Sequence, residues 1–101
     1  MEGETMGAPV VHFEILGKNT TKLQKFFSTV FDWKIDTDNP IGYGLIKPQR
    51  DNSIGGGIGS AGKVKGYATF YIEVDDLDKT LLKIEKTAAK LLYPLPLFPI
   101  W

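Results

Sequence analysis

The chain has 101 residues, with 12 basic and 12 acidic side chains, one histidine, no cysteine and 43% hydrophobic residues. That length sets one domain burying roughly 65% of its unfolded surface, and the lack of cysteine excludes a disulfide scaffold and a thiolate zinc site. A net charge of zero argues against nucleic-acid binding, which displaces counterions with a basic surface, and a lone imidazole excludes most multi-histidine metal schemes.

Met1 to Pro9 carries Glu2 and Glu4 and no basic n-region, so it does not read as a signal peptide. No apolar run approaches the roughly 20 residues that span a bilayer. The expectation is a cytoplasmic protein without a membrane partner.

From Val10 to Leu16, Val11, Phe13 and Ile15 alternate with His12 and Glu14, the period-2 pattern of a strand with one apolar face. Gly17-Lys18-Asn19 breaks it, and Asn19, Thr20 or Thr21 can cap a helix. Leu23, Phe26, Phe27, Val30 and Phe31 then recur at helical spacing, which predicts an amphipathic helix with an aromatic stripe. Phe26, Phe27, Phe31 and Trp33 are assigned to the core. Trp33–Thr37 reads as a short strand ended by the Asp38-Asn39-Pro40 turn signal. Tyr43–Pro48 and Ile54–Gly59 are two further strands, joined by Gln49–Ser53.

The order then repeats. Thr69–Val74 alternates as Val10–Leu16 does, with Phe70, Ile72 and Val74 on one face and Thr69, Tyr71 and Glu73 on the other. Asp75 or Asp76 supplies a cap, Leu77, Leu81, Ile84 and Ala88 mark a second helix, and Lys90–Tyr93 would be the strand after it. A shift of 57 positions lays His12 on Thr69 and Asn19 on Asp76. The fold expected is α+β: tandem βαβββ-type units forming a curved mixed sheet with helices on the outer face, the second unit incomplete. In residue terms, one domain spans 1–101, with a full unit at 1–60, a shortened unit at 66–93 and an apolar, proline-rich tail at 94–101.

Several side chains offer chemistry. His12 shares its face with Glu14, about 7 Å along the strand, and is a candidate metal ligand, a general base or simply a pocket-facing hydrogen-bonding group. Glu14 and Glu73 lie on the polar faces of equivalent strands; they form either a carboxylate pair across the sheet or separate surface carboxylates. Tyr43, Thr69 and Tyr71 are candidate lining of the same cavity, offering rings and hydroxyls to a small molecule; Tyr43 packed on a sheet is the plainer reading. Gly55-Gly56-Gly57 lacks the Lys-Ser/Thr of a phosphate loop and reads instead as a strand that allows close approach of neighbours, or as a bulge. Asp75-Asp76 reads as helix capping.

The combination of Val11-His12-Phe13-Glu14-Ile15, Phe26-Phe27, Val30-Phe31-Asp32-Trp33-Lys34, Ile54-Gly55-Gly56-Gly57-Ile58 and Phe70-Tyr71-Ile72-Glu73-Val74-Asp75-Asp76-Leu77-Asp78 resembles the vicinal oxygen chelate superfamily. That group includes glyoxalase I, bleomycin-resistance proteins, fosfomycin-resistance enzymes and extradiol dioxygenases. The resemblance runs from about Val10 to Lys90 and is nearest to the small glyoxalase-like proteins. It implies a curved sheet wrapping a ligand pocket, with metal ligands on the concave face. The first ligand position falls on His12, the second on Thr69, and the last, on a final strand, has no counterpart.

Three expectations follow. The chain binds a small molecule in a concave sheet pocket without a complete metal site; or it is a metal-dependent lyase, isomerase, transferase or dioxygenase whose divalent-metal site, begun by His12, is completed by a second chain; or it is a self-associating remnant. The charge-free tail, Leu91–Trp101, is expected to bury in a homodimer. Its Leu/Pro/Phe string also reads as a family ending that has been truncated or frameshifted.

Overall fold

The computed structural model describes residues 7–91. Its elements are β1 (Val10–Gly17), α1 (Thr20–Phe31), β2 (Ile35–Asp36), β3 (Gly44–Ile46), β4 (Gly55–Ser60), β5 (Tyr67–Ile72) and α2 (Leu77–Leu91). The strands form one open, mixed sheet in the order β2-β3-β4-β1-β5. β1 runs parallel to β4 and antiparallel to β5, and β3 is antiparallel to both β2 and β4. The α+β class is therefore as expected. No helix among the described residues is long and apolar enough to cross a membrane.

Local chemistry sets the element ends. The Asn19 side chain accepts from the Lys22 amide at 3.0 Å and starts α1. That helix ends at Asp32 in the left-handed conformation, with φ 59°. The Asp76 side chain accepts from the Lys79 amide at 2.9 Å and starts α2, so capping is what this aspartate does. β2 stops before Thr37 because Asp38 donates its amide to the Asp36 carboxylate (2.8 Å) and Asn39 its amide to the Thr37 carbonyl (2.8 Å), beginning the turn early. β3 starts at Gly44 and not at Tyr43 because Asn39 occupies both backbone polar groups of Tyr43.

One expected strand does not begin where it was foreseen. Lys90 and Leu91 continue α2 and do not start the strand foreseen for Lys90–Tyr93, because Leu81 to Leu91 carries good helix formers and no glycine or proline to stop the turn. The remainder of that stretch, and the tail at 94–101, lies outside the described residues.

The helix α1 lies over β1 and β4. Its Gln24 side-chain amide donates to the Ile58 carbonyl (2.9 Å) and to the Gly42 carbonyl (3.2 Å), bridging helix to sheet. Beneath it sit Ile46, 4% exposed, and Ile58, fully buried; these are the buried apolar side chains among the described residues. Phe13 reaches across β4, where a Cβ on Gly56 would lie 2.5 Å from its ring. Phe13, Trp33, Phe27 and Phe31 form a continuous aromatic cluster, with Phe27 and Trp33 stacked at 5.2 Å. The expectation that Phe26, Phe27, Phe31 and Trp33 are core is corrected: Phe26 and Phe31 remain 53% and 52% exposed, and Phe27 and Trp33 are only half-buried. The stripe is wider than the two strands α1 covers, so its outer rings pack mainly on one another.

Candidate functional site

The face of the sheet opposite α1 carries the polar side chains. Paired residues of neighbouring strands share a face, so His12, Glu14 and Leu16 of β1 stand beside Gly55, Gly57 and Gly59 of β4 on one side and beside Tyr71, Thr69 and Tyr67 of β5 on the other. β4 thus presents a lane without side chains between β3 and β1.

Tyr43 lies in that lane. A Cβ on Gly57 would overlap its hydroxyl, and one on Gly59 would sit 2.7 Å from its Cδ1. The loop before β3 holds the residue in place: the Asn39 side chain accepts from the Tyr43 amide (2.9 Å) and donates to the Tyr43 carbonyl (2.7 Å). With its backbone clamped and β4 bare, the ring passes over one whole strand and reaches β1.

There it joins a hydrogen-bond network. The Tyr43 hydroxyl donates to Glu14 Oε2 at 2.7 Å, and the Tyr71 hydroxyl donates to Glu14 Oε1 at 2.6 Å. His12 Nε2 stands 3.1 Å from the Tyr43 hydroxyl oxygen. Since that hydroxyl gives its one proton to Glu14, the imidazole is the donor in this contact and carries its proton on Nε2. The Tyr71 ring also meets the His12 ring edge-on, 5.5 Å between centroids.

The carboxylate sets the state of both phenols. Tyr43 titrates far above an ordinary phenol, first because burial disfavours the phenolate, then because Glu14 accepts its hydrogen bond and repels a second negative charge. Tyr71 is raised too, chiefly by its hydrogen bond to Glu14. Both stay neutral donors across the physiological range.

Four of the six side chains singled out from the sequence, His12, Glu14, Tyr43 and Tyr71, are therefore brought into one network, and Thr69 lies beside it opposite Glu14. Glu73 is not part of it. It lies beyond the end of β5, its amide donating to the Pro9 carbonyl (2.9 Å), about 13 Å along the strand from Thr69. It lines a different cleft with Pro9, Asp76 and Lys83, so of the two readings Glu14 and Glu73 are separate carboxylates and no pair forms. Two residues that matter went unread: Asn39, seen only as a turn signal, and Gly59, which completes the bare lane.

Two open clefts adjoin the network. One, of about 730 Å³, is bordered by His12, Lys34, Leu45, Lys47 and Gly55; the other, of about 590 Å³, by Glu14, Leu16, Gln24, Tyr43 and Gly59. Among the described residues no three His, Asp or Glu side chains come close enough together to hold a metal ion. The donors at hand are one imidazole and one carboxylate, and both oxygens of that carboxylate already accept phenol hydrogen bonds. This set does not fit a resident divalent metal, which takes three or four protein ligands.

No protein-family model and no curated protein matches the chain.

Proposed function

We propose that the chain is a glyoxalase-like module that binds a small molecule on the open face of its sheet, without a complete metal site of its own. The observation that carries the reading is the His12–Tyr43–Glu14–Tyr71 network. It links two phenols, a carboxylate and an imidazole on the open face of the sheet. Such preorganised polar groups beside an apolar border are what orient a small ligand. With Nε2 committed to Tyr43, Nδ1 of His12 is left to meet a ligand; the ring faces of Tyr43 and Tyr71 supply stacking surface.

The tandem-unit reading is supported by the register between β1 and β5. His12 pairs with Tyr71 and Glu14 with Thr69; the 57-residue shift turns the first pair into Thr69 with Glu14, which is the second. Phe13 pairs with Phe70, its own counterpart under that shift. A local two-fold axis through the Phe13–Phe70 pair explains both facts, as expected of two similar units meeting through their first strands.

Two measurements test the proposal. In a fragment screen followed by amide and side-chain chemical shifts, perturbations are expected to centre on His12, Tyr43 and Tyr71, and His12→Ala should weaken the binding. Shifts centred on the Glu73–Lys83 cleft, or no response at millimolar fragment, would refute it. Elemental analysis is expected to show no stoichiometric zinc, nickel, iron or manganese; one tightly bound equivalent would replace this reading with a metal-dependent enzyme completed by a second chain.

A further inference from the structure

The two edges of the sheet are built differently. β2, at one edge, is two residues long, preceded by Lys34 and followed closely by Asp38. Brevity and charge are what keep an edge from pairing with another chain. β5, at the other edge, is six residues long and reads Tyr-Ala-Thr-Phe-Tyr-Ile, with no charge and no proline. Its inner side is taken by β1, and among the described residues no strand lies on its outer side. The irregularity in the β1–β5 ladder falls between Val10 and His12, on β1, so β5 itself carries no protective bulge.

We propose that β5 is the contact strand of a homodimer, its outer edge pairing antiparallel with β5 of a second copy and joining the two sheets into one. A strand set antiparallel against its own copy is two-fold symmetric and satisfies itself, the closed arrangement that isologous dimers use. The residue pattern favours that occupant. An uncharged strand meets its own copy with no like-charge contact, whereas a charged partner strand would find no counter-charge along β5. Aromatic and β-branched side chains alternate on its Tyr67–Thr69–Tyr71 face, and Phe70 and Ile72 lie on the other; such residues form the favourable cross-strand pairs. Phe70, near the middle of the strand, is 59% exposed and faces the two-fold axis of such a pair. The proposal does not depend on what the His12 face binds.

Sedimentation equilibrium of the full chain tests it, with Phe70→Lys as the variant. The wild type is expected to be a reversible dimer at micromolar concentration. Phe70→Lys should weaken association roughly a hundredfold, because it sets two cations close together across the axis. A monomeric wild type, or a Phe70→Lys protein that is folded by circular dichroism and still dimeric, overturns the proposal. Should the variant not fold, NMR on a mixture of isotope-labelled and unlabelled wild type decides. Intermolecular Hα–Hα contacts between β5 strands are expected; intermolecular contacts confined to other residues, those at 92–101 included, or none at all, overturn it.

Discussion

Glu14 and Tyr71 stand 57 positions apart in the chain and are joined by a 2.6 Å hydrogen bond. A shift of the same 57 positions lays the alternating segment around Glu14 on the one around Tyr71. Identity at those places would have been unproductive: two carboxylates repel, and two phenols leave nothing anionic to bind. An acceptor on β1 facing a donor on β5 is what makes the junction of the two strands a polar centre.

Glu14→Gln should dismantle that centre without emptying it. An amide oxygen replaces the charged acceptor, and the NH₂ group faces a phenol that has lost its partner. The tyrosine pKa elevations caused by Glu14 should fall in this variant. Spectrophotometric titration of the tyrosinate band checks this, with Tyr43 and Tyr71 moving back toward the ordinary phenol range.

Tyr43→Phe removes the donor to Glu14 and the acceptor for His12 while keeping the ring over β4. Hydrogen bonds to charged groups contribute about 1.5–3 kcal/mol when well sheltered. For this half-buried hydroxyl a loss near ~1.5 kcal/mol is expected, with a drop of several degrees in Tm. Denaturant unfolding should show a lower midpoint with unchanged slope.

Gly57→Ala addresses the same contact from below. The added methyl overlaps the Tyr43 hydroxyl, so the ring must lift and its bonds to Glu14 and His12 break. Overpacking of this kind costs about 1–3 kcal/mol. In a double-mutant cycle with Tyr43→Phe the two losses should be clearly less than additive, because both break the same hydrogen bonds. Additive losses would separate the glycine from the network.

Stability should fall in alkali. Both phenols have folded pKa values raised above those of the unfolded chain, so the fold holds their protons more tightly. The resulting stabilisation is fully present below about pH 10 and is lost as pH rises from there toward the folded values. Unfolding free energy measured across that window should decline in the wild type and decline less in Tyr43→Phe.

The ends of α1 give opposite predictions. Asn19→Ala should cost ~1 kcal/mol through loss of the cap. Asp32→Gly should stabilise by up to about 1 kcal/mol, because Asp32 holds a left-handed conformation that glycine adopts without strain. Thermal unfolding followed by circular dichroism reads both.

Much of this could be seen in the residues alone. The alternation at Val11, Phe13 and Ile15 and its echo at Phe70 and Ile72 mark β1 and β5, and the spacing from Leu23 to Phe31 marks α1. His12, Glu14, Tyr43 and Tyr71 are legible as candidates because polar residues on the non-core face of a strand need a reason. What alternation does not encode is reach. Glu73 has the same parity as Tyr71, yet it lies past the last rung of β5, and the pairing of Glu14 with Thr69 places it too far along. The helical continuation to Leu91 was hidden because a repeat argues by analogy, while backbone propensity acts locally. Asn39 escaped notice because its contribution, two hydrogen bonds to the backbone of Tyr43, depends on loop geometry and leaves no periodic trace.

The bare lane on β4 has a wider meaning. In most sheets a side chain can address only the strands next to its own, so any functional grouping is confined to immediate neighbours. By withholding side chains at Gly57 and Gly59, β4 becomes a bridge deck over which Tyr43, from the loop before β3, acts directly on β1. Groups from β1, from β5 and from the loop before β3 thus converge at one point although a strand intervenes. The price is fragility: any mutation that furnishes the deck, however mild in size or polarity, severs communication between residues it leaves untouched.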